Sequence, residues 1–381
     1  MSAKATKIML VGLGDLGGVL LDLLLRSGKG WEIVVAARNA ERAAPRFELA
    51  RLAALAQGCP SQARLVRLDL NDVAAAAETI YREQPDVLLS TATMATWWLP
   101  DLLPEQDAKA IRSAGFGVWI PVHLAPTLRL MRAVKQAQYP GFVLTAPYPD
   151  VVNHALGKVG LAPTCGVGNV AEMVPKVLQR AACALNCSTR ELDVRMVAHH
   201  ALGKFVYADS ASGQSAAVPR FLLEIERGGR NIAEEVDVRE MVLAGRPIAH
   251  GRATHLLTAG SAMPLMEALL QEKPVALHAP APHGLPGGYP VTVSRAGVEL
   301  RLGMIPLADA IRVNESSQVF DGIGGVLEDG TVELVEENAR QLESLLGECP
   351  RRITIADVEE QAEDLVARYQ AFAARRGAIS A

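Results

Sequence analysis

Six residues near the N-terminus, Gly12-Leu13-Gly14-Asp15-Leu16-Gly17, constrain the fold of this chain more than any other stretch. They form a complete G-x-G-x-x-G. The apolar run Lys7-Ile8-Met9-Leu10-Val11 before them reads as a buried parallel strand. The segment after them carries Leu16, Val19, Leu20, Leu23 and Leu24 on one helical face. In that setting the glycines do different things. Gly12 permits the tight turn, Gly14 lets the backbone approach a pyrophosphate, and Gly17 allows close helix–strand packing. The helix N-terminus adds free N–H groups and a positive dipole end. Gly12, Gly14, Asp15, Leu16 and Gly17 are therefore expected to bind a dinucleotide.

The alternation continues. Apolar strands are expected over 32–37, 64–68, 86–90 and 141–145, with a further short one near 163–166, and helices over 40–57 and 72–83. Strand and helix in turn imply an α/β fold, a Rossmann-type doubly wound parallel sheet with right-handed crossovers. From about residue 190 the texture changes to a longer strand (191–199), a hairpin turning near Gly297, and helices over 306–319 and 334–346. The Pro/Gly-rich stretch 274–290 reads as loop, and 283–289 within it as either a mobile segment able to close over substrate or a plain surface loop. Residues 1–170 are thus expected to be a nucleotide-binding domain and 171–349 an α+β substrate and dimerisation domain. The final amphipathic helix, within 350–381, is expected to pack back on the first.

The second strand's end selects the cofactor. An NAD-type site places a carboxylate there to meet the ribose 2′-hydroxyl. This chain instead has Ala37-Arg38-Asn39, then Arg42. Forked guanidinium donors suit a phosphate monoester, so NADP(H) is expected. Asp69 and Leu70, ending the third strand, are expected beside the adenine, with Asp72 capping the next helix. Ser90-Thr91-Ala92-Thr93, ending the fourth, should border the nicotinamide ribose.

Among 381 residues, 38 Lys and Arg oppose 42 Asp and Glu, which argues against a broad basic surface for nucleic acid or anionic lipid. No long apolar run free of charge, Pro and Gly is present to span a membrane, and the polar N-terminus does not read as a signal peptide. The five cysteines make an odd, sparse set without metal-ligand spacing. They read as free thiols, placing the chain in a reducing cytoplasm without a bound metal.

The stretches Val11 to Gly18, Ala36 to Arg42 and Leu68 to Asp72 together resemble the saccharopine dehydrogenase-type NADP-binding family. That family pairs the glycine loop with an A-x-R second-strand end and an L-D-x-x-D third-strand end. The resemblance covers roughly the first 170 residues. It implies a dehydrogenase or reductase acting on a C–N or C=O centre of a small metabolite. A local stretch, Val197 to Lys204 continuing to Asp209-Ser210-Ala211-Ser212-Gly213, is similar to dihydrodipicolinate reductase-like enzymes, with a stretched His-to-Lys spacing, no Pro before Ser212, and Gln214 in place of Thr. By that analogy His199 and Lys204 serve the reduced substrate.

Hydride chemistry needs a proton donor and a group that polarises the double bond. His199, His200, Lys204 and Tyr207 are candidates, although strand alternation would turn the two histidines to opposite faces. Tyr148 and Asp150 follow the fifth strand, and ligands of doubly wound sheets bind beyond carboxyl ends; Asp150 could instead cap the next helix. Trp97 and Trp98 are candidates to roof the nicotinamide. The catalytic set is thus His199, Lys204 and Tyr148. No tyrosine has a lysine four residues on, which disfavours a short-chain carbonyl reductase. The expected function is NADP(H)-dependent hydride transfer at an imine/amine or 2-oxo acid centre by a homodimer; the alternative is a non-catalytic NADP-binding regulatory or scaffold protein.

Overall fold

The computed structural model describes residues 6–207, 217–232, 236–244, 247–249 and 251–377. Strands β1 (Lys7–Val11), β2 (Glu32–Ala37), β3 (Gln62–Arg67), β4 (Val87–Ser90), β5 (Phe142–Thr145) and β6 (Cys165–Gly166) make one sheet in the order 3-2-1-4-5-6. Every pairing in it is parallel. The helices between them are α1 (Asp15–Leu25), α2 (Ala40–Ala56), α3 (Val73–Glu83), α4 (Glu105–Ser113), α5 (Ile120–Gln136) and α6 (Pro149–Lys158). The order reverses between β1 and β4, and beyond the carboxyl ends of such a pair lies the crevice where doubly wound folds bind ligands.

The second half begins with α7 (Val170–Ala184), β7 (Leu192–Ala198), α8 (Gly203–Val206), β8 (Phe221–Arg227), β9 (Arg230–Asn231) and α9 (Val238–Leu243). It continues with α10 (His255–Leu269), β10 (Val275–Pro280), β11 (Gly288–Ser294), β12 (Gly297–Leu300) and α11 (Leu307–Ser317). Its sheet, in the order 10-11-7-8-9 with β12 on β11, is antiparallel. A small third sheet of β13 (Ile323–Val326), β14 (Val332–Leu334) and β15 (Arg352–Ile353) is followed by α13 (Val358–Arg375), with α12 (Glu336–Leu346) between β14 and β15. No helix among the described residues is long and apolar enough to cross a membrane.

Burial on both faces explains the continuous apolar runs. Ile8 and Leu10 of β1, with Ile33, Val35, Val87 and Leu89, pack towards α1, α2 and α10. Met9 and Val11, with Val34, Ala36 and Leu88, pack on the other face with residues of α3, α5, α12 and α13. Each such Val, Leu, Ile or Met side chain contributes about 1.5–3 kcal/mol. The last helix lies on α5: Glu359 accepts from Arg129 and Arg132 at 2.8 and 2.7 Å, and Tyr369 meets Trp119 edge-on.

Two expectations change, and one helix goes unannounced by the sequence. The stretch 274–290 is not a loop, because Val275 and Leu277 pair with Val293 and Val291 in a regular ladder. The link shrinks to residues 281–287, turned sharply by the left-handed Ala281 and His283, and Tyr289 is fully buried in the sheet. The strand expected to reach residue 199 stops at Ala198, so alternation does not govern His199 and His200. Finally, α5 carries Pro121 in its first turn and Pro126 inside, which masks it from periodicity.

The α1–β1 approach tolerates no side chain. A Cβ on Gly17 would lie 2.1 Å from the Gly12 carbonyl oxygen. Gly17→Ala is expected to cost about 1–3 kcal/mol, read as a lowered urea midpoint. Gly14→Ala, whose Cβ meets nothing within 4 Å, should leave that midpoint near wild type.

Candidate functional site

The glycine loop is shaped by its neighbours. Gly12 adopts φ +98°, which favours glycine, and its N–H donates to the Ala36 carbonyl at 2.8 Å. The exit of β4 is tied to it: the Thr91 N–H donates to the Val11 carbonyl at 2.8 Å and its hydroxyl to the Gly12 carbonyl at 3.1 Å. Ser90 is buried, its Oγ accepting from the Ala92 N–H at 3.3 Å. Gly14 caps α1 with open space where a side chain would project, and Asp15 and Leu16 open the helix. An open cradle facing a helix N-terminus fits a pyrophosphate.

At the end of β2, Ala37 is buried while Arg38, Asn39 and Arg42 are exposed. Asn39 Oδ1 accepts from the Arg42 N–H at 2.9 Å and caps α2. Neither Arg38 nor Arg42 has a guanidinium partner among the described residues, whereas nearby Arg46 is committed to Asp22 and the Gly18 carbonyl. Beyond β3, Asp69 accepts from the Asn71 N–H at 3.0 Å and Leu70 packs on the core. Asp72 caps α3 through the Ala75 N–H at 3.0 Å.

A second constellation lies beyond β4 and β5. Thr93 Oγ1 is 2.9 Å from His123 Nδ1 on α5, and the Phe116 ring stacks on His123 at 5.7 Å. Phe116 also lies 4.8 Å from the His200 ring and 4.6 Å from Tyr148. His200 Nδ1 meets Asp321 Oδ2 at 2.7 Å, and the Tyr148 hydroxyl donates to the same oxygen at 2.9 Å. Asp150, in the first turn of α6, caps nothing in that helix. Its carboxylate accepts from the Asn169 side chain at 2.7 Å and from the His200 N–H at 2.5 Å. Strand β7 therefore delivers His200 to a point gripped from α6 and from the segment after α11.

His199 and Lys204 have other partners. His199 is buried, and its Nδ1 accepts from the Ala201 N–H at 3.2 Å, capping the turn that follows β7. Lys204 is exposed at the rim, donating to the Phe320 carbonyl at 2.7 Å. Trp98 is buried; Trp97 is partly exposed and its indole N–H points at His255 Nε2 at 3.3 Å. The stretch Asp209 to Gly213 lies outside the described residues.

Electrostatics separate the histidines. Burial works against a charged His200, but Asp321, with Asp150 and Glu172 behind it, outweighs burial and raises its pKa. Burial would likewise raise Asp321, yet His200, with His199 and Lys204 further off, brings it down to about 2. His123, with desolvation and His200 both against its charge, falls to about 3 and stays neutral. His199 is also lowered, chiefly by burial. Burial and Asp321 push the Tyr148 phenol upward, so it remains a donor. Among the described residues, only His200 combines a carboxylate on Nδ1 with partial exposure, 31% of its side chain. Its Nε2 has no partner among the described residues.

Asp321, Asn169, Glu172, His123 and Phe116 escaped sequence reasoning. Asp321 carries no signal, being one carboxylate 121 positions from its histidine. Asn169 and Glu172 follow Gly166-Val167-Gly168, a second glycine pair at a strand end, which was the available clue.

No family model matches this chain, and no curated protein matches it. Among solved structures, the lactate dehydrogenase of Eimeria maxima with NADH and oxamate aligns over 83% of this chain and 94% of its own, at 14% identity and TM-score 0.53. The malate dehydrogenase of Cryptosporidium parvum aligns over 83% and 98%, at 14% identity and TM-score 0.54. The lactate dehydrogenase of that organism, complexed with lactic acid and nicotinamide adenine dinucleotide, aligns over 84% and 99%, at 18% identity and TM-score 0.53. These neighbours are lactate and malate dehydrogenases rather than the saccharopine dehydrogenase type that the sequence resembles. What they establish is a Rossmann-type fold.

The His200–Asp321 pair makes stability depend on pH in a stated direction. The His200 pKa is raised, so its contribution is complete below its unfolded value near 6.5 and is lost as pH rises through the folded value. Asp321 is depressed, so its contribution is present above 3.8 and lost as pH falls towards 2. Asp321→Asn should cost about 1–3 kcal/mol between those limits, and the difference from wild type should shrink on both sides. Urea unfolding across pH measures this; a pH-independent difference would contradict it.

Proposed function

We propose that this chain is an NADP(H)-dependent oxidoreductase that transfers hydride to or from a carbonyl or imine centre of a small metabolite, with His200 as the proton donor. The observation that carries this reading is the His200–Asp321 hydrogen bond, set at the carboxyl ends of β4 and β5, beside the glycine loop's crevice. When bound, the nicotinamide would supply or accept the hydride at C4. The chain's own residues would do the rest.

Asp321 holds Nδ1 protonated and turns the ring, leaving Nε2 to present a proton to the developing alkoxide or amine. Tyr148 steadies Asp321 and does not itself transfer a proton. Lys204, at the rim, adds a positive charge that favours an anionic or polarised substrate. Phe116 and His123 exclude water from one side of the imidazole. Gly12, Gly14 and the first turn of α1 would hold the pyrophosphate, and Arg38 and Arg42 the 2′-phosphate. The unit 171–349, as a homodimer in the cytoplasm, would shape the substrate site; both a 2-oxo acid and an imine/amine centre match the proton chemistry.

Two variants test this. Arg38→Ala/Arg42→Ala should weaken NADPH by roughly 10–100-fold and leave NADH nearly unchanged, measured by calorimetric titration. His200→Gln should keep cofactor affinity while lowering kcat by about 100–10,000-fold in an amino-acid and 2-oxo acid screen read by reduced-cofactor absorbance. Equal affinity of the wild type for both cofactors would overturn the NADP(H) assignment. Full turnover in His200→Gln would remove the histidine from the chemistry.

A further inference from the structure

The segment entering α10 reaches across to the cofactor domain. Its turn, Gly251–Thr254, begins with Gly251 at φ +70°, where a Cβ would sit 3.2 Å from Asp101 beyond β4. Arg252 leaves this turn with its guanidinium carbon 4.0 Å over the Trp98 ring and its Nε 3.5 Å from Asp15 Oδ2. One guanidinium from the second half thus touches both walls of the crevice, the first residue of α1 on one side and the β4 exit on the other. His255, three residues on, accepts from the Trp97 indole and anchors the same contact.

Three features distinguish this from an incidental surface pair. The ion pair is long, and the Arg252 side chain keeps 64% of its surface exposed, so Asp15 satisfies little of its donor fork. Stacking on an indole holds a guanidinium flat and in place. Beneath it Trp98 is buried, and its indole N–H has no acceptor among the described residues. A fork with unused donors and an orphaned N–H stand together beside a helix N-terminus whose Gly14 cradle is open.

We infer that Arg252 is a clamp for a dinucleotide's pyrophosphate, exchanging Asp15 for a phosphate oxygen and fastening the second half over the first when cofactor is bound. The inference rests on the dinucleotide reading above and adds a positioning residue from outside the glycine loop. Asp15, whose carboxylate would otherwise repel phosphate, serves as the parking partner in the free protein.

Calorimetric titration of the full chain with NADPH and with adenosine 2′-monophosphate separates the possibilities. The second ligand carries the adenine end and the 2′-phosphate but no 5′-phosphate and hence no part of the pyrophosphate. Arg252→Ala should weaken NADPH by roughly 10–100-fold and change the monophosphate less than about twofold, with Arg252→Lys intermediate. Asp15→Asn, which frees the guanidinium, should bind NADPH at least as tightly as wild type. Wild-type NADPH affinity in Arg252→Ala, or equal losses for both ligands, would overturn the clamp while leaving the dinucleotide reading intact. Equal weakening by Arg252→Ala and Asp15→Asn would reduce the contact to a structural ion pair and also overturn it. Failure of the wild type to bind NADPH would overturn both readings.

Discussion

Among the described residues, the tightest joint around the glycine loop is that of α1 to β1. With 2.1 Å between a Gly17 Cβ and the Gly12 carbonyl, only hydrogen atoms fit at that joint. The helix consequently starts directly above the strand end, and its N–H groups open towards the crevice. Thr91 repeats the constraint from β4, gripping the Gly12 and Val11 carbonyls. The two strands that flank the reversal of sheet order are thereby locked at their carboxyl ends, which is the geometry a dinucleotide needs.

A second constraint assembles the polar centre. His200 sits one residue beyond the turn-capping His199, at the end of a strand whose neighbour Gly288 admits Val170 and the Ala198 carbonyl too closely for any side chain. Its carboxylate partner arrives from the other side of the chain, after α11, on the segment that leads into the third sheet. That sheet packs with α12 and α13 onto the same core cluster as α5. The long C-terminal return thus does more than cover the first sheet: it carries Asp321 to the imidazole.

Much of this was legible from local pattern. The glycine loop and the buried runs of β1 to β5 express requirements met within a few residues. The antiparallel half was harder. Residues 281–287 reverse direction through left-handed Ala281 and His283, conformations their residue types do not announce. The strands of the third sheet are two to four residues long, too short for alternation to register. The His199–His200 pair was visible, but which histidine pairs with a carboxylate was not. That depends on Asp321 and Asp150, and on the strand ending one residue early, all set by tertiary packing.

The central claim is that His200 stands where a reacting centre would meet both it and the cofactor. A crystal structure of the NADPH complex tests it most directly. Two contacts of about 3–3.5 Å each, one on either side of the acceptor, should place His200 Nε2 about 6–7 Å from nicotinamide C4. A nicotinamide ordered elsewhere, with His200 beyond reach of any atom bonded to the acceptor, would contradict the claim.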